Sequence, residues 1–163
     1  MDFAALFSGF PPEIATFILA MLPITELRAS IPIAILAYKM HPLAAIFWSV
    51  LGDILPAYLI LLLLGPFSDI LRKYSKLADR FFSWWFNRVQ EKFFSKYTKY
   101  GAVALMIFVA IPLPVTGSWT GATAAWLFNI PKKTAAIYIT LGVVIAGLIV
   151  TTLTAGVKWL LIF

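Results

Sequence analysis

The sequence predicts an all-α integral membrane protein: an inverted repeat of two re-entrant helical hairpins, each followed by a transmembrane helix, joined by a basic amphipathic cytoplasmic helix. Three observations carry this expectation. Hydrophobic residues make up 62% of the chain and charged residues only 12%, whereas a soluble domain carries about 25% charged residues. Short apolar runs broken by proline recur at a constant offset. The basic residues gather in one segment between apolar runs.

The elements follow in order. A spanning helix needs ~20 apolar residues, whereas runs of roughly 10–14 are candidates for re-entrant segments. Ile14 to Leu22 is short and stops at Pro23. After the polar Thr25-Glu26-Leu27-Arg28 comes a second short run, Ile31 to Met40. Leu43 to Leu64 is long enough to cross. Pro66 to Tyr100 is polar and basic. Ala102 to Ile111 is short again and stops at Pro112-Leu113-Pro114. Val115 to Ile130 is rich in Gly, Thr and Trp, and Thr134 to Thr154 crosses, running on to the interfacial pair Lys158 and Trp159.

A shift of 89 positions lays Pro23 on Pro112 and Pro42 on Pro131. Each half therefore reads short run, proline break, short run, proline, long run. The same shift lays Glu26-Leu27-Arg28 on Val115-Thr116-Gly117, so the backbone plan repeats while its chemistry does not. Paired proline-interrupted segments are the sequence pointer to a transporter binding site. The expected organisation is one membrane domain over 1–163. It comprises a first repeat at 12–65 (hairpin 12–40, transmembrane helix 43–64), an interfacial linker at 66–100, and a second repeat at 101–163 (hairpin 101–130, transmembrane helix 132–160).

Orientation follows from charge. With re-entrant hairpins, the eight linker Lys/Arg share a side with Lys132 and Lys133, ten in all, against Lys39 and Lys158. With single kinked spans instead, the split is nine to three. Either way the positive-inside rule places the central linker in the cytoplasm of a multi-pass cell-membrane protein. The N-terminus, Met1-Asp2-Phe3, has no basic region and does not read as a removable signal peptide.

In the linker, Phe67, Ile70, Leu71, Tyr74, Leu77, Phe81, Trp84, Trp85, Val89, Phe93, Tyr97 and Tyr100 recur at helical spacing. Arg72, Lys73, Lys76, Arg80, Arg88, Lys92, Lys96 and Lys99 take the complementary face. This describes an interfacial helix bound to membrane lipids at an anionic leaflet. A helix packing its apolar face on the bundle has the same spacing, and both can hold. The net charge of +6 is better matched by a membrane surface than by nucleic acid.

The chemistry-bearing residues are few. Glu26 and Arg28 follow the Pro23 break, where a re-entrant tip lies deep in the bilayer, and ionisable groups there mark a site or pathway. Arg28 can hold a phosphate or carboxylate with its planar fork, and Glu26 can carry a coupling proton. The bland alternative is that the two satisfy each other and the broken backbone. Asp53 lies mid-span between Gly52 and Pro56, whose missing N–H leaves the Gly52 carbonyl without its helical donor. It reads as a second proton-coupling acid or as a structural partner of Arg28. The second break, marked by Pro112 and Pro114, carries no charge. Thr116, Gly117, Ser118 and Thr120 offer hydroxyls and amides to a substrate, and amides at a half-helix start suit an anion. Gly117 and Gly121 also form a G-x-x-x-G, a packing motif.

Pro23-Ile-Thr-Glu26-Leu-Arg28-Ala-Ser-Ile-Pro32, with Ile111-Pro-Leu-Pro114-x-Thr-Gly117-x-Trp119-Thr-Gly121-Ala, resembles the small multidrug export proteins, a family distantly similar to the DedA/VTT superfamily. Leu51-Gly52-Asp53 followed by Tyr58 resembles that superfamily's Gly-Asp…Tyr segment. The resemblance implies two opposed re-entrant hairpins and a transport role, lipid translocation included. Glu26, Arg28 and Asp53 are the matching functional positions. Gly117 and Ser118 stand where DedA members place an arginine.

Cys is absent and His41 is the sole histidine, so thiolate chemistry is excluded and a metal or cofactor site is not expected. With no nucleophile–base set either, an enzyme is not expected. The expected function is a transporter that moves an anionic lipid, a phospholipid or polyprenyl phosphate, between the hairpins, with proton coupling through Glu26 or Asp53. The alternatives are proton-coupled export of small cationic drugs and a non-transporting membrane scaffold. Two clear spans per chain are compatible with a homodimer.

Overall fold

The computed structural model describes residues 7, 9–100, 102–112 and 116–160, with side chains except at 66–69, 71–72, 78, 92–100 and 157–160. It is all-helical, and no strand occurs among the described residues. The order is α1 Pro12–Met21, α2 Glu26–Pro32, a π-helical turn Ile33–Ala37, α3 Pro42–Tyr74, α4 Lys76–Tyr100, α5 Val103–Ala110, α6 Ser118–Leu127 and α7 Lys132–Leu160. Two stretches, Pro42–Gly65 in α3 and Lys132–Gly156 in α7, are long and apolar enough to cross a membrane.

Local chemistry sets the boundaries. Pro12 opens α1 with its φ already fixed, and Glu13 faces the helix N-terminus. Leu22 turns extended ahead of Pro23, as residues before proline do. Ile111 does the same ahead of Pro112, 89 positions later. Within α2, Pro32 has no N–H for the carbonyl of Arg28, and the ladder widens into the π turn, where Tyr38 N–H reaches the Ile33 carbonyl at 3.1 Å. Lys39 and Asn129 take positive φ just before the two long helices start. His41 caps α3: the Leu43 N–H donates to its Nδ1 at 3.3 Å.

The α3 helix passes Gly65-Pro66, where the sequence places the start of the linker, and ends only at Tyr74. A proline inside a helix removes one hydrogen bond and kinks the chain without obliging it to stop. Pro114, expected as a hairpin break, lies outside the described residues.

The chain divides into two compact units, residues 1–55 with 143–163, and residues 56–142. In the first, α1 packs on α2 and on the π turn. The Thr16 hydroxyl meets the Met40 sulfur at 3.3 Å, so the chain returns beside the start of α1 and forms a helical hairpin. The interior is built from Ala15, Leu19, Ala20, Leu27, Ile31, Ala34 and Ile35. The α3 segment closes on α1 at Gly52 and on α2 through a Ser30–Ser49 hydrogen bond of 2.8 Å.

In the second unit α5 and α6 pair, and α4 packs on both. Leu64, Phe82 and Phe86 form a buried cluster backed by Trp126, whose ring centroid lies 5.0 Å from that of Phe86. Gly142 fits against the carbonyl of Met106, and Tyr58 hydrogen-bonds Thr140 at 2.7 Å.

The long helices leave rows of large apolar residues uncovered: Leu43, Phe47, Leu51 and Leu55 on α3, and Ile145, Leu148, Ile149 and Leu153 on α7. A soluble chain rarely exposes patches of this kind. In a bilayer they face hydrocarbon.

Candidate functional site

The polar interior of the first unit begins at the break after α1. Residues 22–25 leave the last carbonyls of α1 without helical donors, and in an apolar setting each such group must find a partner. The Thr25 hydroxyl donates to the Leu19 carbonyl, and the Glu26 N–H reaches the Leu22 carbonyl at 2.9 Å. Thr25 is buried beneath an exposed tip of Leu22, Pro23 and Ile24.

Glu26 then sits at φ 44°, the left-handed region that non-glycine residues seldom occupy. Such strain concentrates at functional sites. Its carboxylate forms an ion pair, with Arg28 Nη2 at 3.1 Å from Glu26 Oε2. The two side chains are not equally hidden: Glu26 is 7% exposed and Arg28 24%. The guanidinium is therefore the accessible side of the pair.

Asp53 is buried, 1% exposed, on α3. Its position relative to Glu26 follows from the serine contact. Ser30 stands one turn after Glu26 and Ser49 one turn before Asp53, both serines being fully buried. Counted along its own segment, each acid lies one helical turn from the Ser30–Ser49 contact. Pro56 leaves the Gly52 carbonyl without its helical donor one residue away. The Glu26–Arg28 ion pair, the buried Asp53 and the Ser30–Ser49 contact all belong to the first unit.

In the second unit Thr116, Gly117, Ser118 and Thr120 are buried together at the start of α6. The Thr116 hydroxyl donates to the Ile111 carbonyl at 2.8 Å. This matches Thr25 at the first break: in each unit a threonine satisfies a carbonyl released where a short helix ends. Gly117 has φ 141° and ψ −170° and carries the chain into α6. Pro112 is half-buried and Pro23 exposed.

Sequence reading missed Thr25, Ser30 and Ser49. Thr25 has a signal, since a hydroxyl residue beside a broken helix is a natural donor to its carbonyls, whereas the Ser30–Ser49 contact has none. Among the described residues no three of His, Cys, Asp and Glu come together as a metal site.

A family model described as "Putative small multi-drug export protein" matches residues 26–149. The chain belongs to this family. No curated protein and no solved structure matches it. The family match opens at Glu26 and contains Arg28, Asp53 and the 116–120 segment. The family description names export, and the two apolar helices fit a membrane protein.

Proposed function

We propose that this protein translocates an anionic amphiphile, a phospholipid or polyprenyl phosphate, across the cell membrane. The observation that carries the proposal is the asymmetry of the Glu26–Arg28 pair. The guanidinium is the exposed partner and the carboxylate the buried one, so an arriving phosphate meets the arginine first and finds a planar set of donors. Glu26 holds Arg28 in place meanwhile. Asp53, buried a turn beyond Ser49, is the acid suited to exchange a proton as the anion enters or leaves. Within the second unit, Thr116, Gly117, Ser118 and Thr120 offer uncharged donors of their own.

In this reading the hairpins α1–α2 and α5–α6 are re-entrant and form an inverted repeat, with α4 in the cytoplasm. The exposed apolar tip Leu22-Pro23-Ile24 supports it, because such a tip is at home in hydrocarbon. The likeness of Gly52-Asp53 and Tyr58 to the DedA segment favours a lipid as cargo. The protein works without enzyme chemistry, and as a homodimer if two copies are needed to surround the cargo.

A second reading, proton-coupled export of small cations, is favoured by the ion pair itself. Glu26 neutralises Arg28, which removes the fixed positive charge that would repel a cation and leaves Asp53 as the exchanging acid.

The test uses purified protein in liposomes with headgroup-labelled phosphatidylglycerol or phosphatidylcholine. Faster flipping of the anionic lipid than in protein-free vesicles is the expected result. Flipping at the protein-free rate would discard the lipid reading, and proton-driven efflux of a small organic cation would then establish the second.

A further inference from the structure

The linker helix α4 has two apolar faces, only one of which the protein covers. Phe82, Phe86 and Val89 are buried, and Phe82 and Phe86 pack with Leu64, Trp126 and Leu127. A helix that did nothing but close the bundle would need no further apolar side. Yet Leu77, Phe81 and Trp84 repeat at i, i+4 and i+7 and are exposed at 79%, 54% and 58%. At 100° per residue their row lies more than a quarter turn away from the buried one. Two residues of the same row are aromatic, the type that settles at a membrane interface.

The charges complete the surface. Lys73, Lys76, Arg80 and Arg88 are exposed. The Arg88 guanidinium lies over the Trp84 ring, 5.7 Å from its centroid, the posture of a basic side chain that keeps its stem on apolar surface and its head at the polar edge. Residues 66–100 carry eight Lys/Arg against Asp69, Asp79 and Glu91. The side chains of Arg72, Lys92, Lys96 and Lys99 lie outside the described residues, but their charges add to the same excess. A protein partner would need acidic complementarity as well. An anionic leaflet supplies charge and apolar depth together, and it is already beside this helix, because α4 follows directly on a helix that contains a membrane span.

We infer that the Leu77–Phe81–Trp84 face of α4 docks onto an anionic phospholipid surface. Its aromatic rings enter the headgroup–acyl boundary while Arg80, Arg88 and the neighbouring lysines hold the phosphates. The helix is thus gripped on two sides, by the protein through Phe82 and Phe86 and by the bilayer through Phe81 and Trp84. This inference is independent of the cargo that the protein moves.

The chain contains no cysteine, so single nitroxide labels can be placed directly. Phe81→Cys, Trp84→Cys and Asn87→Cys, all at exposed positions, are labelled and reconstituted in phosphatidylglycerol/phosphatidylcholine vesicles. Labels at 81 and 84 should be reached by oxygen and shielded from a water-soluble nickel relaxant, at a depth of about 5–10 Å. The label at 87 should show the reverse. In pure phosphatidylcholine, 81 and 84 should become shallower. Equal nickel access at all three positions would overturn the inference. So would an unchanged depth without anionic lipid, or spin–spin broadening that vanishes on dilution with unlabelled protein, which would mark a second copy as the occupant.

Discussion

Gly52 stands so close to Phe17 that a β-carbon at position 52 would lie 2.3 Å from the Phe17 carbonyl oxygen and 2.9 Å from the Ala20 β-carbon. The obstacle is backbone and cannot swing away. This contact seats α3 on α1 one residue before Asp53, and so places the buried acid.

Gly52→Ala is therefore expected to destabilise the protein by about 1–3 kcal/mol, the usual cost of forcing extra volume into a packed site. Thermal unfolding in detergent measures it. An unchanged midpoint would show that α1 and α3 part more easily than this contact implies.

Arg28→Gln should cost more than Glu26→Gln/Arg28→Gln. Removing the arginine alone leaves the buried Glu26 carboxylate without this ion partner, a loss of about 3–5 kcal/mol, whereas the double variant takes away both charges of the pair. Denaturant titration of the two variants checks the order. If the single variant is the more stable, Glu26 is not ionised in the folded protein.

Gly117 takes backbone angles that are essentially confined to glycine. Gly117→Ala should lower stability by about 1–3 kcal/mol, the cost of a residue held in a sparsely populated region. Gly9, which has open space around it, serves as the control, and Gly9→Ala should shift the unfolding midpoint little.

Phe86 and Phe81 test the two faces of α4. Phe86→Ala empties a buried site against Trp126 and should cost about 3–5 kcal/mol. Phe81→Ala removes an exposed ring and should stay within ~0.5 kcal/mol in detergent. Equal losses would mean that the protein covers both faces.

Much of this was legible in the sequence, and the reasons are physical. The spans in α3 and α7 follow from length and apolarity, which need no knowledge of neighbours. Pro23 and Pro112 mark ends because proline constrains the residue before it and lacks a donor. Other features depend on what lies across space. Nothing local tells that Ser30 meets Ser49 or that Gly52 abuts Phe17. Periodicity drew one apolar face on the linker, but only packing divides it into a covered row at Phe82 and Phe86 and an open row at Phe81 and Trp84. The π turn after Pro32 was equally hidden, since a proline in a helix can be absorbed by a kink or by a widened ladder. Pro66 shows the same ambiguity from the other side: the sequence marks it as a boundary, and α3 runs through it.

The most direct test of the central claim compares flipping of labelled phosphatidylglycerol in liposomes by wild type, Glu26→Gln/Arg28→Gln and Lys133→Gln. The double variant removes both charges of the ion pair, and Lys133 is exposed at the start of α7. With the Glu26–Arg28 pair as the headgroup site, the double variant should fall to the protein-free rate while Lys133→Gln keeps the wild-type rate. Wild-type flipping by the double variant would contradict the claim, and the site would have to be sought elsewhere in the chain.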